Sequence, residues 1–431
     1  MMVKVHKIFY LLMILAVVML QACSSSDRDS NVSRARSEGS EAKTIHEAND
    51  SSARDGEAAA ASEEPGALPG GSSGRTSGSR GTNESSLPDA GILTAGEWDD
   101  NQEWSRWNDL MQSREGGEYM PYWKFYDFRR LEVQVTGAGK PVADAIVTLS
   151  RDNDQRGWTA RTNASGTAYL FPYLFEEQGG SVKYSLSVKA GQQLKRYENV
   201  EVKDGRVMEI KMDEAVQPSM LVDLMLVVDT TGSMADELQY LEAELKDVIN
   251  QVEQDNHNQL DLRISPNFYR DVYDEYTVKP YPFTRNVDEA VNQIADQKAR
   301  GGGDYPEAVE QALENAIEEH EWSKEALARM LFLVMDAPPH HEKSVIERLH
   351  QLTERAAGEG IRIIPVASSG VDIATEHLMR YMSVATGGTY IFLTDHSGVG
   401  NEHLKPAVGE YEVKPLNKLL VDIINRYCRA A

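Results

Sequence analysis

Five oxygen-bearing side chains stand at positions where they could do chemistry together. Asp229, Thr231 and Ser233 alternate along Asp229-Thr230-Thr231-Gly232-Ser233, Asp304 closes the run Gly301-Gly302-Gly303, and Asp336 opens Asp336-Ala337-Pro338-Pro339. Carboxylates and hydroxyls are hard donors, suited to Mg²⁺, Ca²⁺ or Mn²⁺ rather than to zinc or copper. Taken singly, each has a plainer reading: a strand ending in an Asp/Thr/Ser helix cap, or a glycine-rich turn with a capping Asp. What separates the readings is charge. Three aspartates at one edge of one sheet repel each other unless a cation or protons neutralise them.

The neighbouring segments have the patterns needed to bring them to one edge. Met220 to Val228 is an aliphatic run, β-branched at Val222, Val227 and Val228, that fits a strand buried on both faces of a parallel sheet. Met330 to Met335 is a second such run, and it delivers Asp336 at its carboxyl end. Ligand sites of open α/β sheets lie at that end of the strands. Between them, Leu238, Leu241, Leu245, Val248, Ile249 and Val252 mark one face of a helix. Strands are expected over Leu260 to Tyr269 and Tyr276 to Phe283, the second at an edge because of Pro280 and Pro282. Helices follow at Val287 to Ile294 and Ala308 to Ile317. Beyond Asp336 the alternation continues through helix Val345 to Ala357, strand Ile361 to Ala367, helix Ile373 to Ala385, strand Thr389 to Leu393 and a last helix from Leu416 to Tyr427. The expected fold of residues 219–428 is α/β, a doubly wound, Rossmann-like sheet with helices on both faces.

Asp229-Thr230-Thr231-Gly232-Ser233, Gly302-Gly303-Asp304-Tyr305-Pro306-Glu307 and Asp336-Ala337-Pro338, in this order, resemble the metal-ion-dependent adhesion site of von Willebrand factor type A domains, in their bacterial and hemicentin-like branch. The resemblance implies that Asp229, Thr231 and Ser233 contact a divalent cation, Mg²⁺ first with Ca²⁺ or Mn²⁺ as alternatives. It also implies that the third loop adds a ligand, here Asp304, and that Asp336 acts directly or through water. An unknown protein or surface polymer would bind at the metal face. One departure is that Asp304 stands where the integrin-type loop carries Thr. A second carboxylate lowers the ion's residual charge and its pull on an acidic ligand, which makes a more permanent, structural cation a credible alternative.

His340 and His341 have no His or Cys partner at zinc-ligand spacing and read as loop residues. A Ser-His-Asp or Cys-His set, a phosphate loop and a His-rich metal site are all missing from the sequence, so a binding module is expected rather than an enzyme. A structural envelope protein and a metal-dependent hydrolase are the alternatives.

The net charge of −24 and pI near 4.9 argue against nucleic acid as a partner. The two cysteines, Cys23 and Cys428, exclude a disulfide scaffold. Lys4 and Lys7 precede an apolar run from Ile8 to Leu20, then Leu20-Gln21-Ala22-Cys23-Ser24. This resembles the lipobox of bacterial lipoproteins. It implies a signal peptide over 1–22, lipidation of Cys23 and attachment to a membrane without spanning it. The expected location is the cell envelope: the outer membrane if the cell is Gram-negative, otherwise the outer face of the plasma membrane. Residues 23–90 are rich in Ser, Gly, Glu and Asp, the composition of a disordered tether. Residues 91–130 form an aromatic-rich connecting segment, with Trp104, Trp107, Leu110 and Met111 at helical spacing, and packing onto a neighbouring domain is expected of it. Residues 131–213 alternate as short strands separated by turn signals, a small all-β sandwich. Val142 to Leu149 and Thr162 to Ala168 resemble the carboxypeptidase-regulatory-like, transthyretin-type module.

Overall fold

The computed structural model describes residues 90–429 apart from 152–153 and 178–181. The segments expected to be a signal peptide and, apart from residue 90, a tether lie outside the described residues, as does Cys23. No helix among the described residues is long and apolar enough to cross a membrane.

The chain begins with β1 (Thr94–Trp98) and two helices, Trp104–Gln112 and Arg114–Tyr122. Next come β2 (Leu131–Gly137), β3 (Lys140–Pro141), β4 (Ile146–Arg151), β5 (Asp154–Arg161), β6 (Thr167–Leu170), β7 (Lys183–Ala190), β8 (Gln193–Glu201) and β9 (Val207–Met212). They make two four-stranded sheets, one of β3, β2, β6 and β9, the other in the order β5-β4-β7-β8. Period-2 alternation puts Leu131, Val133 and Val135 of one sheet, and Val147, Leu149, Leu186 and Val188 of the other, into the same buried core.

The remaining strands are β10 (Leu221–Asp229), β11 (Asp261–Tyr269), β12 (Val278–Lys279), β13 (Ala328–Met335), β14 (Ile361–Ala367), β15 (Tyr390–Leu393) and β16 (Lys414–Pro415). Together with β1 they form one sheet in the order β12-β11-β10-β13-β14-β15-β1-β16. The five strands β11, β10, β13, β14 and β15 run parallel, and β12 and β1 pair antiparallel at either side. Helices Ala235–Asp255, Val287–Ala295, Val309–Glu318, Lys343–Glu359, Ile373–Thr386 and Leu416–Cys428 fall between or after the strands. This is the expected mixed α/β sheet. From β10 the chain crosses to β11 on one side and later to β13 on the other, so the winding reverses beside β10. In sheets of this kind ligands bind beside such a reversal, here at the carboxyl ends of β10 and β13.

The apolar run of β10 contains a charged residue, Asp223, which is fully buried. Arg263 holds it through two bonds of 2.8 Å, and the Ser323 amide adds a third, so the buried charge is paired. The expected strand over Tyr276 to Phe283 shrinks to Val278–Lys279. Pro280 and Pro282 lack the N–H groups that a longer ladder needs.

Residues 91–130 are more than a connection. β1 pairs with β15 from Ala95↔Leu393 to Trp98↔Tyr390, making this segment part of the α/β sheet. Gly96 allows it: a Cβ there would lie 2.5 Å from the Phe392 ring and 2.9 Å from Tyr411. Asp100 then takes two bonds from Arg380, at 2.7 and 2.9 Å, with both groups buried. Trp107 packs edge-on against Phe128 and Tyr381, and the Trp123 indole donates to the Ala374 carbonyl. The aromatics serve packing, as their density implies.

The all-β part is clamped to the α/β part through Asp144. Its carboxylate accepts from Arg329 at 2.8 and 3.2 Å and from Arg161 at 3.1 Å, and Arg329 is buried. Replacing Asp144 with Ala leaves the Arg329 guanidinium inside without its anion. We expect a loss of about 3–5 kcal/mol in urea unfolding. A loss near zero would mean that the clamp contributes nothing to stability.

Candidate metal centre at the carboxyl edge

The first loop is shaped by its own side chains. Asp229 ends β10, and its Oδ1 accepts from the Thr231 amide at 2.8 Å and the Thr231 hydroxyl at 2.7 Å. That turn brings the Ser233 hydroxyl to 3.1 Å from Thr231 Oγ1. A short 3₁₀ turn, Gly232–Met234, passes into the Ala235–Asp255 helix. Asp229 and Thr231 are buried, whereas Ser233 is exposed at the mouth.

Asp336 follows β13 and is also buried. The structure therefore brings Asp229, Thr231, Ser233 and Asp336 to one edge, as the sequence predicts. The third loop is tied to the first by the Arg300 amide bonding to the Thr230 carbonyl (3.0 Å) and the Gly232 amide bonding to the Gly301 carbonyl (3.2 Å). Gly301 and Gly302 have φ of +82° and +70°. A Cβ on Gly301 would strike the Asp274 carboxylate at 2.3 Å, so glycine is required there.

Asp304 is placed differently from the expectation. It lies exposed on the loop, while Glu307, three residues on, is buried beside the first loop. A Cβ built on Gly302 would sit 3.1 Å from Glu307 Oε1 and 3.3 Å from Thr231 Cβ, which fixes how closely these groups approach. The physical reason lies in the backbone. The left-handed turn at Gly301 and Gly302, held by the Asp274 carboxylate accepting from the Gly302 amide, sends the following residues outward. The Glu307 amide is then caught by the Pro338 carbonyl at 2.9 Å, which draws this residue back against the Asp336 loop.

A second unanticipated acid is Glu237, in the first turn of the Ala235–Asp255 helix. It is fully buried and accepts from the Ser369 hydroxyl. Five buried carboxylates among the described residues carry one oxygen each without a hydrogen-bond partner, and four of them gather at this edge: Asp229 Oδ2, Asp336 Oδ1, Glu237 Oε2 and Glu307 Oε2; the fifth, Glu310 Oε2, sits in the helix that follows. Burial, and then the Asp336 charge, push Asp229 up to about 7. Burial followed by the charges of Asp229, Asp271 and Asp336 pushes Glu307 up to about 9. Asp336 is raised by burial against the hydrogen bond from Ser233. Orphaned buried oxygens and raised carboxyls are the signature of a place built for positive charge.

The donor set fits a hard divalent cation. Among the described residues no three Asp, Glu, His or Cys side chains converge closely enough to hold an ion by themselves. Thr231 and Ser233 hydroxyls, with water, would complete the coordination that Asp229 and Asp336 begin.

The two histidines point elsewhere. His340 Nε2 bonds Asp271 at 2.7 Å. Burial works against its charge, but the hydrogen bond and charge of Asp271 outweigh that and raise its pKa. His341 stacks on Tyr122 and bonds its carbonyl. Both anchor the loop that carries Asp336.

Residues 223–396 match the family model described as von Willebrand factor A domain. The chain is 26% identical over 189 residues to a protein of Acanthamoeba polyphaga mimivirus named as an ariadne-like RING finger protein, covering 40% of this chain and 18% of that one. It is 24% identical over 222 residues to alpha-protein kinase vwkA of Dictyostelium discoideum, covering 49% and 33%. The chain thus spans a third or less of the length of these two relatives. Among solved structures, the conserved hypothetical protein BatB of Bacteroides thetaiotaomicron is similar at 12% identity and a TM-score of 0.33, over 48% of this chain and 98% of that one.

With cations removed by chelator, the raised carboxyls make folding depend on pH. Their ordinary values are 3.8 and 4.5, and the folded values are about 7 and about 9. The native state therefore holds more protons than the unfolded chain in that window, and stability falls as pH rises through it. We expect the urea midpoint in chelator to drop between about pH 5 and about pH 9, and saturating Mg²⁺ or Ca²⁺ to remove most of the drop. A midpoint insensitive to pH in chelator would contradict the electrostatic account.

Proposed function

We propose that the von Willebrand factor A domain at residues 223–396 binds a divalent cation at Asp229, Thr231, Ser233 and Asp336 and serves as a protein-interaction module through that edge. The carrying observation is the group of buried carboxylates with unpartnered oxygens at the reversal point of the sheet. Positive charge brought from outside relieves such a group without protonation. Domains of this family generally engage other proteins, which supports a protein or surface polymer as the partner.

The wider setting is read from the sequence. Leu20-Gln21-Ala22-Cys23 supports a lipid-anchored envelope protein, with Cys23 bearing the lipid and the polar stretch after it giving the folded part reach. The role is binding rather than catalysis. The depth of the carboxylates also favours a second reading, in which the cation only stabilises the fold. Mg²⁺ is the first candidate ion, and Ca²⁺ and Mn²⁺ fit the same donors.

Calorimetric titration of the full chain with Mg²⁺, Ca²⁺ and Mn²⁺ tests the site. Binding is expected for at least one ion and should be lost in Asp229→Ala. Retention of full affinity in that variant would exclude the site. Partner capture from the native envelope that disappears with chelator supports the interaction role, whereas capture indifferent to chelator leaves the ion a structural part.

A further inference from the structure

Where the all-β part meets the α/β part, positive charge is buried in excess. Arg362, near the start of β14, is 7% exposed. Its guanidinium has five N–H donors, and two of them have partners. Nη1 donates to the Thr386 carbonyl at 3.1 Å and Nη2 to the Arg161 carbonyl at 2.7 Å. Arg161 and Arg329 both bond Asp144, which is the one carboxylate among the described residues bonded to any of the three arginines. Burial lowers the Arg362 pKa, and the charge of Arg329 adds to this, against Tyr427, Asp144 and Tyr169. A guanidinium buried with no anion facing it is costly.

Beside it lies a cavity of about 10 Å³, room for one atom-sized guest. Both parts of the protein build its walls, Asn163 and Tyr169 from one side and Arg362, Thr386 and Gly387 from the other. Among the described residues no aspartate or glutamate lines it. Asn163 accepts from the Thr167 amide through Oδ1, which leaves its Nδ2 hydrogens over, and the Tyr169 hydroxyl has no partner. A Cβ on Gly387 would stand 3.5 Å from the Tyr169 ring and 3.6 Å from Arg362 Nε, so glycine keeps the space beside the guanidinium open. A second cavity of about 100 Å³ shares the Asn163, Tyr169 and Gly387 walls and gives a way in. It carries one acid, Asp99, and one base, Arg426.

We propose that the smaller cavity binds a monatomic anion of the chloride class, held by Arg362, the Asn163 amide and the Tyr169 hydroxyl, which ties the all-β part to the α/β part. The walls offer donors and positive charge, so they select an acceptor that is negative. Water accepts from such donors but leaves the charge uncompensated, and a polyatomic oxyanion exceeds the volume. Arg362 stands at the amino end of its strand, the opposite end of the sheet from the buried carboxylates, so the two sites stand or fall separately.

The test is thermal melting of the full chain in sodium chloride and in sodium gluconate at equal ionic strength, which holds screening fixed. Gluconate is too large for the cavity. The melting point should be higher in chloride by about 2 °C or more and should climb with the logarithm of its concentration. Asn163→Asp keeps the acceptor for Thr167 and puts a carboxylate oxygen in place of the amide nitrogen, so the chain supplies its own anion. That variant should lose the difference between the two salts. Crystals of the parent grown in sodium bromide should show an anomalous peak beside the Arg362 guanidinium, a readout that does not depend on the variant folding. Equal melting points in the two salts, or an undiminished difference in Asn163→Asp, would overturn the assignment. So would a bromide map with no peak there, which would leave water as the guest.

Discussion

The constraint on which the α/β half of this protein depends is the burial of negative charge at one end of a sheet. Asp229 ends β10 and Asp336 follows β13, its parallel neighbour, so the pairing of the two strands brings both carboxylates to the same edge, close enough for the charge of Asp336 to act on Asp229. Glu237 comes in from the flanking helix and Glu307 from the third loop, and both are buried as deeply. In a medium of low dielectric such charges are costly to leave unpaired. No lysine or arginine side chain is bonded to any of the four unpartnered oxygens. The basic group nearest in sequence to the first loop's partner strand, Arg270, is instead occupied with the Thr230 and Lys298 carbonyls and the Tyr276 ring. It supports the loop backbone and leaves the acids free.

The loops around this edge are held by main-chain bonds rather than by each other's charges. Thr230 is bonded to Tyr269, Arg300 to Thr230, Gly232 to Gly301, and Glu307 to Pro338. Three segments far apart in the chain are thereby fixed before any ligand arrives, which is the pre-organisation a binding site needs. The acidity of the whole chain has little to do with this, since the decisive carboxylates are few and buried.

Much of this was legible in the sequence, for identifiable reasons. Long aliphatic runs with β-branched residues gave β10, β13 and β14, and 3.6-residue periodicity gave the helices at Ala235–Asp255 and Leu416–Cys428. Asp229, Thr231, Ser233 and Asp336 could be placed because each sits within a few residues of a strand end. Asp304 could not, because the direction of a side chain after two left-handed glycines depends on tertiary bonds that no local pattern reports. Glu307 was visible as a letter of the motif, but its burial is a property of the Pro338 contact. The strand β8 escaped notice because its residues, from Gln193 to Glu201, are mostly polar on both faces. β1 was hidden by Gly96 and by its distance in sequence from the sheet that it joins.

That last strand changes how the molecule bears load. β1 enters the sheet before the two small sheets are made, and its partners β15 and β16 are among the last strands of the chain. The α/β body is therefore sewn from both ends, with the all-β part carried as a long excursion between them. A pull on the chain ahead of residue 90 would fall first on β1, whose antiparallel bonds to β15 and the Asp100–Arg380 pair behind them act as a mechanical latch. Releasing it would strip an edge from the sheet and bare β15 to pairing with other chains.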